Sequence, residues 1–399
     1  MSIEVTEYEA KDIPTIQGSL FSDIDKYLSI YPIDENTQKI KMNGYIGVIN
    51  IAEGYTLYSN PKVGIENVLK MYNYISRQVH LNEDEVKLAE DMSFLDLITH
   101  IFLSEVEHIC RTCYRRFYRN TIDNLSIIKG KILISETIQR NHFSPKVRCE
   151  YSDFTEDILD NQILKYALYL QMRAYSGNPN KADLFIKLRN LSSFFGRVSL
   201  NHVTPDDFSQ ISYDRLNSGY EKAHFISKFI VEHLYVKHGI GNKLFFSFMI
   251  NMNTIFEDFV RSIMRRFNSK YVVINGNYST QKLDYIGSGM IRIKPDIILK
   301  QNNEVKLILD CKYKKIKKIP EDDNVDSSKP YPSDVYQMLS YLIAYQCHFG
   351  VLIYPKGESE DTEIKIQVEQ ETYRISVKQI DLMNLNENAL ELFSLNIDQ

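Results

Sequence analysis

The sequence predicts an α+β multidomain protein with a β-rich N-terminal domain over residues 1–80, a mainly helical middle region over 81–240 and a C-terminal α/β domain over 241–399. Three observations predict it. β-Branched and aromatic residues concentrate in the first part, in runs such as GYIGVINI (Gly44–Ile51) and YTLYSN (Tyr55–Asn60). Apolar residues spaced three and four apart dominate the second. In the third, short β-rich runs alternate with helical ones, the pattern of a layered α/β domain. A length of 399 residues suits two or three domains.

Gly54 offers a turn between the first two runs, a hairpin-like pattern consistent with a small barrel or sandwich. From Ile65, Val68, Leu69, Met71, Tyr72 and Ile75 recur at helical spacing, and Phe94–Arg119 reads as one long amphipathic stretch. Gly130–Ile138 and Lys146–Phe154 read as strands. The acidic segment Asp153–Asp160 leads into a helix over Ile163–Tyr175, and residues 176–240 read as mostly helical. In FFSFMINMNTIFEDFVRSIMRRF, Ile255, Phe256, Phe259, Val260, Ile263 and Phe267 keep helical spacing. YVVING, IRIKPDIILK and EVKLILDCKYK are β-rich, the last two joined by the hairpin-type connection Gln301-Asn302-Asn303. A polar loop, Glu321–Pro332, precedes the helix SDVYQMLSYLIAYQC and the buried-type strand FGVLIYP.

Composition removes several classes. No apolar run reaches the length of a membrane span. The start, MSIEVTEYEAKD, is acidic where a signal peptide is basic and then apolar, and five Cys without regular spacing do not suggest a disulfide framework. A cytoplasmic location is the expectation. The net charge is −5, yet Arg261–Lys318 holds 14 Lys and Arg against 4 Asp and Glu. Such a block is either a polyanion-binding footprint or a solvated basic surface.

The chemistry concentrates at Pro295-Asp296, followed by Asp310-Cys311-Lys312. On an extended strand Asp310 and Lys312 share a face and Cys311 points away. If the two runs pair as an antiparallel hairpin, Asp296 comes to lie beside Asp310, and two carboxylates at one point suit Mg²⁺, which keeps waters and accepts phosphate oxygens. Mn²⁺ is expected to substitute. Lys312 is then placed to hold the attacking water and balance charge on the phosphate. Glu257, on the preceding helix, either extends the metal shell or pairs with Arg261 one turn on. Gln337 and Tyr341 share a helical face with Asp334, where they orient a water or backbone phosphate, or where Tyr341 is simply a core aromatic. Two β-rich halves, an acid on the preceding helix, a Q-x-x-x-Y helix after them and basic surroundings together form the signature of PD-(D/E)xK nucleases.

With these motifs in place, the sequence resembles the McrC family, the nuclease subunit of McrBC-type restriction systems that act on DNA carrying 5-methylcytosine. The resemblance covers residues 40–355. It is carried by Gly44–Leu69 with Pro61-Lys62, by YRRFYR and IKGKI within Tyr114–Ile132, by DNQILKYAL (Asp160–Leu168), and by FEDFV, KPDIIL, ILDCKYK and VYQMLSYLIAY. It implies that Asp296, Asp310 and Lys312 are catalytic, with Glu257 and Gln337 assisting and Asp296, Asp310 and Glu257 on the metal. Cys311 departs from the small residue usual in the family. The resemblance further implies a separate McrB-like AAA+ GTPase hexamer, docked through the N-terminal region and stimulated by it, and double-stranded modified DNA as substrate. The chain has no G-x-x-x-x-G-K-[ST]; Gly239–Lys243, GIGNK, lacks the spacing. The motor must therefore come in trans, and a double-strand break calls for two copies.

Other signals are weaker. Cys110-Arg111-Thr112-Cys113 lacks a second ligand pair at zinc spacing. Arg115, Arg116 and Arg119 read as one helix face, either solvated or in contact with DNA or an acidic partner. Lys314, Lys315, Lys317 and Lys318 either track phosphates or form an exposed loop. Two other functions stay open at this point: a non-catalytic adaptor of an AAA+ ring, and a stand-alone PD-(D/E)xK repair nuclease.

Overall fold

The computed structural model describes residues 2–16, 20, 24–52, 54–76, 93–140, 145–176, 178–238, 244–276, 282–285, 289–314, 316, 330–357 and 360–397. Gly239–Lys243, Lys315, Lys317, Lys318 and most of the loop Glu321–Pro332 lie outside them.

The first hairpin forms as the pattern predicts, Tyr45–Ala52 against Tyr55–Asn60. Ser2–Thr6 joins Tyr55–Asn60 in parallel. On the other side Tyr45–Ala52 pairs with Leu244–Asn251, which pairs with Leu234–His238, so the five-stranded sheet runs 2–6, 55–60, 45–52, 244–251, 234–238. A boundary at residue 241 therefore cuts through this sheet instead of falling between two domains. By sequence the run FFSFMIN goes with the helix after it, because a short, continuously apolar run has no period that distinguishes strand from helix. Asn251 makes the division: its side chain accepts the N–H groups of Asn253 and Thr254 and caps a helix over Met252–Phe267. A smaller sheet, Ala10–Pro14, Thr37–Met42 and Leu28–Pro32, packs Ile13, Leu28, Ile40 and Met42 against Ile49, Ile51 and Leu57.

The middle region is helical but contains a third sheet. The helix starting at Phe94 ends at Thr112 instead of reaching Arg119, and Phe117–Leu125 is a strand paired along its length with Val147–Thr155. Gly130–Ile138 is likewise not one strand, since only Lys131–Ile132 pairs and Ile134–Arg140 is helical. Long-range pairing overrode the local helical pattern here. The three arginines leave the helix for acids at the base of this ribbon: Arg115 to Asp160 at 3.1 Å, Arg116 to Glu156 at 3.2 Å and Arg119 to Asp157 at 3.8 Å.

The first turn of the helix Leu159–Tyr175 anchors that base. Asp160 also accepts from Asn217 at 3.3 Å; Asn161 donates to the carbonyls of Arg115 and Glu156 and accepts from Tyr220. His224 is fully buried between the Asp160 carbonyl (2.9 Å) and the Tyr213 hydroxyl (3.1 Å). Burial holds its imidazole below the usual value of 6.5. Unfolded His224 takes up a proton as the pH falls through 6.5 and folded His224 resists it, so stability present above pH 6.5 is lost below it. The slope from this group is at most about 1.4 kcal/mol per pH unit. Urea unfolding at pH 7.5 and 5.5 checks this: His224→Gln should lose less stability between the two than the unsubstituted chain, and an equal loss refutes it.

The C-terminal part is the α/β layer expected. Its six-stranded sheet runs 272–275, 297–301, 304–311, 349–355, 371–380, 362–368. Glu304–Cys311 is antiparallel to Ile297–Gln301 and parallel to Phe349–Pro355. The helix Pro332–Tyr345 makes the crossover between the two parallel strands. The helix Met252–Phe267 buries Ile255, Phe256, Phe259, Val260 and Ile263, and one apolar cluster runs from Ile46 through this helix to Leu309 and Ile353. The N-terminal and C-terminal sheets thus share a core. Among the described residues no helix is long and apolar enough to cross a membrane.

Candidate active site

The hairpin sets the site. Asn302 and Asn303 both take positive φ (54° and 64°), the two-residue turn that matches strand twist. The resulting register pairs Ile297 with Leu309, which brings Asp296 beside Asp310. The Cys311 N–H donates to Asp296 Oδ2 at 2.6 Å, fixing that carboxylate. Lys312 Nζ lies 2.7 Å from Asp310 Oδ2, an ion pair that is not aligned as a hydrogen bond. Cys311 is buried in the core on the opposite face.

Two helices complete the cleft. Pro332 opens the second at a position where a missing N–H costs nothing. Asp334, Gln337 and Tyr341 then come at spacings of three and four. Lys312 Nζ donates to Gln337 Oε1 at 2.7 Å, and Gln337 Nε2 to the Tyr341 hydroxyl. Tyr341 is thus both a buried aromatic and the group that orients Gln337. Asp334 accepts from Lys314 Nζ (2.9 Å) and the Tyr354 hydroxyl (2.6 Å). On the first helix Glu257 faces the same cleft, while Arg261 pairs with Asp258 and reaches the Asp296 carbonyl at 3.5 Å. Tyr8, Asn253 and Lys294 join these in lining a cleft of about 400 Å³. A larger one of about 1030 Å³, bordered by Asp25, Tyr72 and Glu232, contains none of the carboxylate–lysine set.

Burial dominates the electrostatics of the central carboxyls. Burial, and then the negative charge of Asp310 and Glu257, hold the Asp296 carboxyl well above the usual range. Glu257 is pushed up to about 7, by burial first and also by Asp258 and Asp310. Burial raises Asp310 too, with Lys312 opposing it. Burial disfavours the Lys312 ammonium, but Asp310 more than offsets this and holds its proton above the ordinary value. Three carboxyls whose protons are held on by burial and by one another are a donor set that a cation would relieve. Among the described residues no three Asp, Glu, His or Cys side chains close on a point as a metal cage. Asp296 and Asp310 instead form an open pair, a donor set that fits a hard divalent cation.

All five residues singled out by sequence thus line one cleft. Tyr8, Asn253 and Lys294 were missed. Asn253 lies one helical turn before Glu257 and Lys294 precedes the Pro-Asp pair, so both had a local signal; Tyr8 had none. Five residues of the basic block, Arg261, Arg266, Lys306, Lys312 and Lys314, are each in an ion pair. Cys110 and Cys113 are free thiols, and burial pushes Cys110 up to about 12, far from a thiolate ligand.

A mixed sheet carrying Asp296 and Asp310-Cys311-Lys312 at the ends of adjacent strands, joined through a shared core to a β-rich N-terminal part, defines an α+β protein with a carboxylate–lysine site. A sequence model of the family described as McrBC 5-methylcytosine restriction system component matches residues 40–355, and the chain belongs to that family. Among solved structures it is similar to a chain in the refined half-complex from the tetradecameric assembly of Thermococcus gammatolerans McrB AAA+ hexamers with bound McrC. That match has a TM-score of 0.65 and 18% identity, and covers 100% of both chains. A cryo-EM structure of the Thermococcus gammatolerans McrBC complex matches at 0.45 and 18% identity, over 68% of this chain and 89% of that one. No curated protein matches.

Proposed function

We propose that the chain is a Mg²⁺-dependent DNA endonuclease subunit of an McrBC-like restriction system, acting with a separate AAA+ GTPase hexamer that recognises modified DNA and translocates. The observation that carries this reading is the juxtaposition of Asp296, Asp310 and Lys312, with the ammonium 2.7 Å from a buried carboxylate. Asp296 and Asp310 hold the cation, with Glu257 at the rim. When bound, Mg²⁺ neutralises phosphate oxygens and lowers the pKa of a water at the scissile bond. Lys312, oriented by Gln337, positions the attacking water and offsets negative charge as it develops on the phosphate. Lys294 and Lys314 flank the cleft as contacts to the DNA backbone.

Docking on the motor is assigned to residues 1–240, which also stimulate its nucleotide hydrolysis. The ribbon 117–155 supports this. It exposes Phe117, Tyr118, Ile122, Ile127, Ile128 and Phe154, and Ile127 is 82% accessible. A concentration of large apolar side chains in water is the mark of a protein-binding surface. The same ribbon would serve a non-catalytic adaptor, so one experiment must read both activities. Plasmid cleavage with Mg²⁺ and nucleoside triphosphate is measured for the chain plus its AAA+ partner, beside the partner's NTPase rate. Asp310→Ala is expected to lose cleavage and keep NTPase stimulation. No cleavage by the unsubstituted chain on modified DNA, with stimulation intact, replaces the nuclease with the adaptor.

A further inference from the structure

One wall of the cleft comes from the far end of the chain. Glu7 continues the pairing of Ser2–Thr6 by donating its N–H to the Asn60 carbonyl at 3.0 Å. Tyr8 then takes φ +62°, a left-handed backbone that side-chain-bearing residues disfavour. This turn sends two side chains to opposite sides of the site.

Tyr8 lines the cleft and donates its hydroxyl to Asn253 Oδ1 at 2.9 Å. Its phenol fits because residue 44 is glycine, where a Cβ would lie 2.2 Å from the Tyr8 oxygen. The Gly44 carbonyl in turn accepts the N–H of Met252, the first residue of the helix that carries Asn253 and, four residues on along the same face, Glu257. Glu7 points inward and is fully buried. Its Oε1 accepts the Tyr313 hydroxyl and the Lys62 N–H, each at 2.9 Å, while Oε2 is buried without a hydrogen bond. Tyr313 directly follows Lys312 and packs on Phe256, with ring centroids 5.6 Å apart. The Lys62 ammonium lies 4.1 Å from the Tyr8 ring centroid and closes the corner. One turn therefore grips both the helix bearing Glu257 and the strand end bearing Asp310 and Lys312. A left-handed tyrosine and an orphaned buried oxygen are costs, and such costs cluster where a fold holds a functional geometry.

We propose that the Glu7–Tyr8 turn is a positioning element of the metal site: by fixing Asn253 and Tyr313 it sets the spacing between Glu257 and the Asp310–Lys312 strand, and through it the affinity for the divalent cation. This rests on the nuclease reading. Mg²⁺ demands near-octahedral geometry, so small displacements of its carboxylates weaken it.

Tyr8→Phe keeps the ring and its Lys62 contact and loses only the bond to Asn253. Tyr313→Phe loses only the bond to Glu7. Mn²⁺ binding to the full chain is measured by calorimetry, and the Mg²⁺ dependence of plasmid cleavage is measured with the AAA+ partner. Each variant should bind Mn²⁺ about 10-fold more weakly, the scale of losses at groups supporting metal ligands. The Mg²⁺ half-saturation should rise in step, with kcat at saturating Mg²⁺ recovered. A purely structural role would instead lower the melting temperature and leave the cation dependence unchanged. Asp310→Asn separates the two readings. If it abolishes Mn²⁺ binding while both tyrosine variants bind at wild-type strength, the positioning role is overturned alone. If Asp310→Asn binds as the unsubstituted chain does, or that chain binds no Mn²⁺, the metal site falls and this proposal with it.

Discussion

Asp296→Asn is expected to abolish plasmid cleavage and, with divalent cations removed, to make the chain harder to unfold. The two effects have one origin. Asp296 faces Asp310 and Glu257 in a largely buried site, with the Lys312 ammonium paired to Asp310. At an effective dielectric constant of 20, two like charges about 4 Å apart repel by about 4 kcal/mol, and burial adds to the cost. Asparagine keeps a carbonyl oxygen for the Cys311 N–H, so the strand contact survives while the charge goes. The gain should appear at neutral pH, above the ordinary Asp pKa, where the unfolded chain carries this charge freely and the folded site disfavours it. Added Mg²⁺ should raise the unfolding midpoint of the unsubstituted chain, a stabilisation of about 1.4 kcal/mol at ten times its Kd. It should leave the variant unmoved. Thermal unfolding in chelator and in Mg²⁺ reads both. A variant less stable in chelator, or still stabilised by Mg²⁺, contradicts the open carboxylate pair as the cation's seat.

Lys312→Met is expected to separate binding from chemistry. The ammonium spans Asp310 and Gln337, at 2.7 Å from each. Removing it takes away a cation that stabilises developing charge, which lowers cleavage by roughly 10²–10³-fold. It also leaves Asp310 Oδ2 to the metal alone, so Mn²⁺ binding should hold or tighten. Gln337→Ala removes only the acceptor that orients the ammonium and should cost about 10-fold, as losses at supporting residues do. The order of the two is the test. A larger loss at Gln337 than at Lys312 would make the amide, not the ammonium, the group that holds the water.

The site was legible where its geometry is local. Asn302-Asn303 closes a two-residue hairpin, the alternation of a strand places Asp310 and Lys312 together, and helical spacing aligns Asp334, Gln337 and Tyr341. Glu257 was found as a helix acid with two possible partners. Helix geometry alone left its neighbour Arg261 open to it, and packing instead gave that arginine to Asp258 and the Asp296 carbonyl. Where the reading failed, tertiary pairing decided. FFSFMIN became a strand because Tyr45–Ala52 offered an edge. The helix from Phe94 stopped at Thr112 because the residues after it pair with Val147–Thr155 and their arginines reach acids at 156–160.

Local preference set the elements around the cleft and its chemical set: two carboxylates and a lysine at the ends of neighbouring strands, with a glutamine ahead of a tyrosine on the helix beyond. Those depend on φ/ψ preference and on the periods of strand and helix, which act over a few residues. Only the tertiary structure decided that the sheet of the first sixty residues is completed by Leu244–Asn251. It alone placed Tyr8 in the cleft, against Asn253, and Glu7 beneath the strand Glu304–Cys311, against Tyr313. Contacts between residues hundreds of positions apart leave no period in the chain; they arise when the two sheets bury one core between them, and that burial fixes which distant side chains meet.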